Sequence, residues 1–127
     1  MCICKNCSVK ISGKQKIYCS KKCQQEFRGK IYIEKWLKNE ISGYIKLNYR
    51  LSSWVRNYLL KEANYKCILC NWGEINPISE KVPLHVDHID GNAANCKREN
   101  LRVICPNCHS LTPNFGALNI GKSVRKY

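Results

Sequence analysis

Apolar residues fall at Leu51, Trp54, Val55, Tyr58 and Leu59, steps of i, i+3, i+4, i+7 and i+8 that share one face of a helix. A helix is therefore expected from Ser52 or Ser53 to about Ala63. Its apolar face reads as core packing in preference to a recognition surface, placed to brace the segment that follows. Upstream, residues 20–38 carry Phe27 and Ile31, then Ile33, Trp36 and Leu37, which again suits a helix. Gly29 and the run Ile31-Tyr32-Ile33 leave room for a break inside it, and residues 41–49, with Ser42-Gly43, read as a connector. The period changes at Leu84. Residues 84–89 alternate, Leu84 and Val86 against His85 and Asp87, as a strand with one buried face does. Asp90-Gly91 ends the strand and a polar loop, 92–100, follows. Leu101-Arg102-Val103-Ile104 is the return strand, and Pro106 suits a first helical position, where a missing N–H costs nothing.

Ten cysteines in 127 residues change this picture, because many of the 44% hydrophobic positions are thiols. Cys67 and Cys70 form one C-x2-C pair and Cys105 and Cys108 another, a spacing at which two turns close a tetrahedral zinc site. A second set, Cys4-x2-Cys7 and Cys19-x3-Cys23, repeats the pattern near the N-terminus. Ser12-Gly13-Lys14 signals a hairpin turn between Val9/Ile11 and Ile17/Tyr18. Cys19 then stands where a helix begins, with Ser20 as N-cap and Cys23 in the first turn. Knuckle, hairpin and ligand-bearing helix start make a treble-clef-like finger. Cys2 is spare. The expected architecture is a small, zinc-stabilised α+β fold in three parts. They are a finger (1–28), a helical connector (29–63) and a strand–loop–strand–helix module with a basic tail (64–127). With so many thiols on metal the apolar core is small, and zinc supplies part of the folding energy.

A disulfide scaffold of a secreted protein is the competing use of ten cysteines. The start, Met1-Cys2-Ile3-Cys4-Lys5, has no apolar core of a signal peptide, and no run approaches the ~18 apolar residues of a membrane helix. A reducing cytoplasm fits better. The formal charge is +13, and two four-thiolate zinc sites would lower it to about +9. Residues 1–50 hold twelve Lys and Arg against Glu26, Glu34 and Glu40. Such a surface attracts phosphate backbones, although charge alone also fits a merely basic soluble protein.

The chemistry concentrates between the second pair of cysteine knuckles. Consecutive helical residues differ by ~100° in direction, so Cys108 and His109 cannot face one metal. Cys108 is expected on zinc and His109 on the opposite side, over the strand end that carries Asp87 and His88. A carboxylate and an imidazole there suit a divalent cation with open positions for phosphate oxygens and water. Neighbouring strand residues point to opposite sides, which in-line phosphodiester hydrolysis requires of a base and a leaving-group metal. His88 is the expected general base, since imidazole titrates near neutrality. Asp87 and His109 would hold the metal, and Asn100 would fix the loop and so position His88.

Asp87-His88, Glu99-Asn100-Leu101 and Cys105-Pro106-Asn107-Cys108-His109 together resemble the HNH endonuclease family, over roughly residues 65–112. The three letters fall on His88, Asn100 and His109, at spacings of twelve and nine residues. The resemblance implies a ββα-metal module and a structural zinc on Cys67, Cys70, Cys105 and Cys108. It also implies one catalytic divalent ion (Mg2+ or Mn2+), and nicks or double-strand breaks with 5′-phosphate ends. Residues 110–116 and the leading finger are similar to small phage-type members. Lys97, Arg98 and Arg102 flank the site as expected DNA phosphate contacts. His85 could line the cleft, assist the metal or merely pack; Asn92 and Asn95 could touch phosphate or shape the loop; Cys96 reads as a bystander. Trp36, Leu37 and Trp72 could serve a core or a dimer contact.

Two rivals keep parts of this reading. A non-catalytic double zinc finger explains the charge and eight cysteines, but leaves Asp87, His88 and His109 as coincidence. A nuclease acting on branched DNA or RNA keeps the site and changes the substrate.

Overall fold

In the computed structural model, residues 2–13 and 17–123 are described. Lys14 of the expected hairpin turn, and Arg125 and Lys126 of the basic tail, lie outside them. Two-residue strands β1 (Cys2–Ile3) and β2 (Lys10–Ile11) pair antiparallel, Cys2 opposite Ile11 and Ile3 opposite Lys10. The pairing therefore closes around the Cys4–Cys7 knuckle. Among the described residues Ile17 joins it by a single bond, from the Lys5 amide to the Ile17 carbonyl (2.9 Å). The turn of the hairpin expected between Val9/Ile11 and Ile17/Tyr18 falls outside the described residues. The knuckle's own bonds, the Cys4 amide to the Val9 carbonyl and the Ser8 amide to the Cys4 carbonyl, set the β1–β2 register.

Helix α1 (Lys21–Leu37) starts where Ser20 accepts a hydrogen bond from the Cys23 amide, which satisfies one of the orphan donors of its first turn. It runs without a break through Gly29, so finger and connector share one helix. Gly29 is there for space: a Cβ would stand 3.2 Å from the Trp54 indole nitrogen on the next helix. Strands β3 (Tyr44–Ile45) and β4 (Arg50–Leu51) form a small hairpin inside the connector, and α2 (Ser53–Glu62) follows. Val55 and Leu59 are its buried residues, as the periodicity requires.

The last module is β5 (His85–His88), a loop ending in a single 3-10 turn (Arg98–Asn100), β6 (Leu101–Ile104) and the short α3 (Pro106–Ser110), with Pro106 in its first turn. The strands are antiparallel, with Asp87 opposite Arg102 and His88 opposite Leu101. One core joins connector and module: Trp36 from α1, Val55 and Leu59 from α2, Leu84, Leu101, Val103 and Ile104. Trp36 is a core residue, 2% exposed, and its indole N–H donates to the Cys96 carbonyl at 2.6 Å. Trp72 packs half-buried against this core, whereas Leu37 is exposed. Among the described residues no helix is long and apolar enough to cross a membrane.

Candidate metal centre and catalytic pocket

The cysteines gather into two groups, Cys4, Cys7, Cys19 and Cys23, and Cys67, Cys70, Cys105 and Cys108, with sulfurs within 4.8 Å of one another in each. Tetrahedral zinc with Zn–S bonds of about 2.3 Å separates its sulfurs by about 3.8 Å. The Cys7–Cys19 and Cys70–Cys105 sulfurs stand 3.6 Å apart, so both groups fit zinc. Acidity within each group is divided. Burial pushes the Cys4 and Cys67 thiols up, but neighbouring backbone N–H groups outweigh it and bring both down to about 6. Cys19, sharing hydrogen bonds with Cys23, Cys7 and Cys4, is pushed up to about 12, and Cys108, against Cys105 and burial, likewise. Four thiolates side by side repel one another, and a divalent cation removes the conflict.

Helix α3 turns Cys108 and His109 to different sides, as the step between consecutive helical residues requires. Cys108 joins the sulfurs, and His109 turns to β5. There His109 Nε2 lies 3.8 Å from Asp87 Oδ1, and His109 Nδ1 lies 2.8 Å from His85 Nδ1. The first distance is too long for a hydrogen bond; a carboxylate oxygen and an imidazole nitrogen this close are donor types that suit a divalent cation.

Asp87 is buried, although strand alternation puts it on the polar face with His85. Its partner explains this: Arg102, directly across the ladder, donates from Nε to Asp87 Oδ2 at 2.9 Å. Arg102 is thus tied to the carboxylate, and Arg98 is ion-paired with Glu62, while Lys97 is exposed. His88, at the strand end, sets Nε2 3.4 Å from Cys96 Sγ. Cys96 is itself buried among Trp36, Leu84 and Leu101, so it is a core residue in contact with His88 and no bystander.

Asn100 ties the loop shut. Its Nδ2 donates to Asp90 Oδ1 (2.9 Å) and to the Asn95 carbonyl (2.8 Å), and its Oδ1 accepts from the Asp90 amide. Asn92 and Asn95 also serve the loop: the Asn92 amide and Asn95 Nδ2 both donate to the Asp90 carboxylate. Burial raises the Asp90 carboxyl, but Asn95, Asn92 and Asn100, with His88 nearby, hold it below the ordinary range. Burial, then His109 and Arg56, lower the His85 imidazole.

Asp87, His88 and His109 line one pocket of about 420 Å³. Two of its walls escape the sequence reading. Arg56 reaches in from α2, anchored by Nη2 on the Leu84 carbonyl at 2.9 Å. Nothing in the helical periodicity separates it from an ordinary solvent-facing arginine. The other wall is the C-terminal segment, Asn114, Phe115 and Asn119, which folds back over the strand end. Asn114 Nδ2 holds the Ile89 carbonyl, and Asn119 Nδ2 the Gly91 carbonyl, each at 2.9 Å. Asn119 Oδ1 is a buried acceptor without a hydrogen-bond donor. A Cβ at Gly91, whose φ is +77°, would collide with it.

Fold and pocket together define a small α+β protein on two four-cysteine clusters, with a carboxylate–imidazole pocket beside the second. The chain is 39% identical over 79 residues to the H-N-H endonuclease F-TflIV of Escherichia phage T5, a match covering 62% of this chain and 33% of that protein. It thus spans about a third of the length of the curated relative it matches. No family model and no solved structure matches the chain.

Proposed function

We propose that this chain is a metal-dependent DNA endonuclease of the HNH type, hydrolysing phosphodiester bonds in its Asp87–His88–His109 pocket. The observation that carries this reading is the spacing of Asp87 Oδ1 and His109 Nε2, 3.8 Å, with His88 on the same pocket wall and Cys108 turned away to the sulfurs. Similarity to a nuclease supports it.

Asp87 and His109 would hold the divalent ion. Bound there, it would neutralise phosphate charge and stabilise the departing 3′ oxygen. His88 takes the proton of the attacking water, its ring held in place by the contact of Nε2 with Cys96 Sγ. Arg102 fixes the Asp87 carboxylate, and Arg56 supplies a cation to the phosphate from the α2 side. Asn100 and Asp90 hold the loop that carries Cys96, and so the ring of His88. The clusters at Cys67, Cys70, Cys105, Cys108 and at Cys4, Cys7, Cys19, Cys23 are structural zinc sites. The finger, in the more basic half of the chain, grips the duplex together with exposed Lys97.

Purified protein incubated with supercoiled, linear and branched DNA and with RNA, in Mg2+ or Mn2+, tests the reading. Metal-dependent nicks or breaks with 5′-phosphate ends in duplex DNA are expected. Binding without cleavage under every condition would point to the double zinc finger. Cleavage confined to RNA or branched DNA would keep the site and change the substrate.

A further inference from the structure

His85 stands outside the roles assigned so far, yet its Nδ1 lies 2.8 Å from His109 Nδ1. The rings meet edge to face, with centroids 5.0 Å apart. His109's two nitrogens therefore face different partners, Nε2 towards Asp87 and Nδ1 towards His85. The two nitrogens of one imidazole diverge and cannot both bind one ion. An ion shared with Asp87 uses Nε2, and that nitrogen must then carry a lone pair, not a proton. The proton consequently resides on Nδ1, where His85 is the acceptor.

We propose that His85 is a positioning residue of the metal site: it accepts the Nδ1 proton of His109 and thereby fixes the tautomer and ring angle that turn Nε2 to the ion beside Asp87. This rests on the reading of the pocket given above. Partners of this kind are usually carboxylates or backbone carbonyls. Here a second imidazole does it, accepting through Nδ1 with its own proton on Nε2. Phe115 also packs against His109, centroids 5.4 Å apart and nearly perpendicular, so two aromatic rings meet that of His109.

The test is Mn2+ affinity of the zinc-loaded protein without DNA, measured by calorimetry, together with zinc content. His85→Ala should weaken Mn2+ binding tenfold or more, within the roughly 10- to 100-fold usual for such partners, with zinc unchanged. His85→Asn, whose amide lies as many bonds from Cα as Nδ1 does, should restore affinity to within about threefold of wild type. Nitrogen-15 NMR of the unsubstituted protein should show His109 protonated at Nδ1. An Ala variant that binds like wild type, an Asn variant as weak as Ala, or a His109 proton on Nε2 would each overturn the proposal. If His109→Ala loses Mn2+ while His85→Ala does not, only the positioning role falls. If wild-type protein binds no Mn2+ beyond its thiolates, the reading of the pocket falls and takes this role with it.

Discussion

His88, the proposed general base, is held at both ends, by the β5 backbone and by the Cys96 thiol. His88→Ala should cut the cleavage rate by about 10²–10⁴ and leave DNA affinity largely intact. Gel-shift and plasmid-nicking measurements on one preparation check both, and equal activity would refute the base assignment. Asp90 gives a pH-dependent prediction. Its carboxyl is held below its ordinary 3.8, so the stability it lends is complete above that value and is lost as pH falls through the lower, folded one. Asp90→Asn should cost about 1 kcal/mol at neutral pH and flatten the melting curve's dependence on pH below about 4. Melting temperatures of both forms between pH 7 and pH 3 decide it; parallel curves would show that the loop does not depend on the carboxylate.

At the level of elements, α1 reaches the 92–100 loop through Trp36. Trp36 fills the core and its indole N–H holds the Cys96 carbonyl, so finger helix and His88 loop are mechanically joined. Trp36→Phe keeps most of the volume and removes the bond. A loss of about 1–3 kcal/mol in stability is expected, since a buried carbonyl loses its donor. Lower kcat with little change in KM should accompany it, measured by denaturant unfolding and by steady-state cleavage. Helices α1, α2 and the β5–β6–α3 module were legible because their apolar periods are long enough to register, and Pro106 and Ser20 marked the helix starts. The β1–β2 pairing was not, because two-residue strands carry no alternation and the knuckle's backbone bonds choose the register. The burial of Asp87 was not legible either: a cross-strand arginine can bury a carboxylate that alternation alone puts on the polar face.

For the whole molecule, a proposed zinc site and the core are joined. The core cluster itself includes Cys67 and Cys105, so the sulfur site and the apolar packing are one structure. Cys67→Ser should unfold the β5–β6–α3 module, as chelation of zinc should, because metal binding energy is folding energy there. Loss of amide dispersion for residues 84–110 in an NMR spectrum would show it, and a folded, active variant would count heavily against the zinc site. The residues on both sides of the pocket come from places far apart in the chain: Arg56 from α2, Asn114, Phe115 and Asn119 from the segment beyond α3. Such walls are a tertiary property, with no local signal, whereas the Asp87, His88, Asn100 and His109 constellation carried its own spacing. Anomalous diffraction from crystals soaked in Mn2+ addresses the central claim most directly. The account predicts a manganese peak between Asp87 Oδ1 and His109 Nε2, separate from two zinc peaks among the cysteines; zinc peaks alone, with no ion between those two side chains, would contradict it.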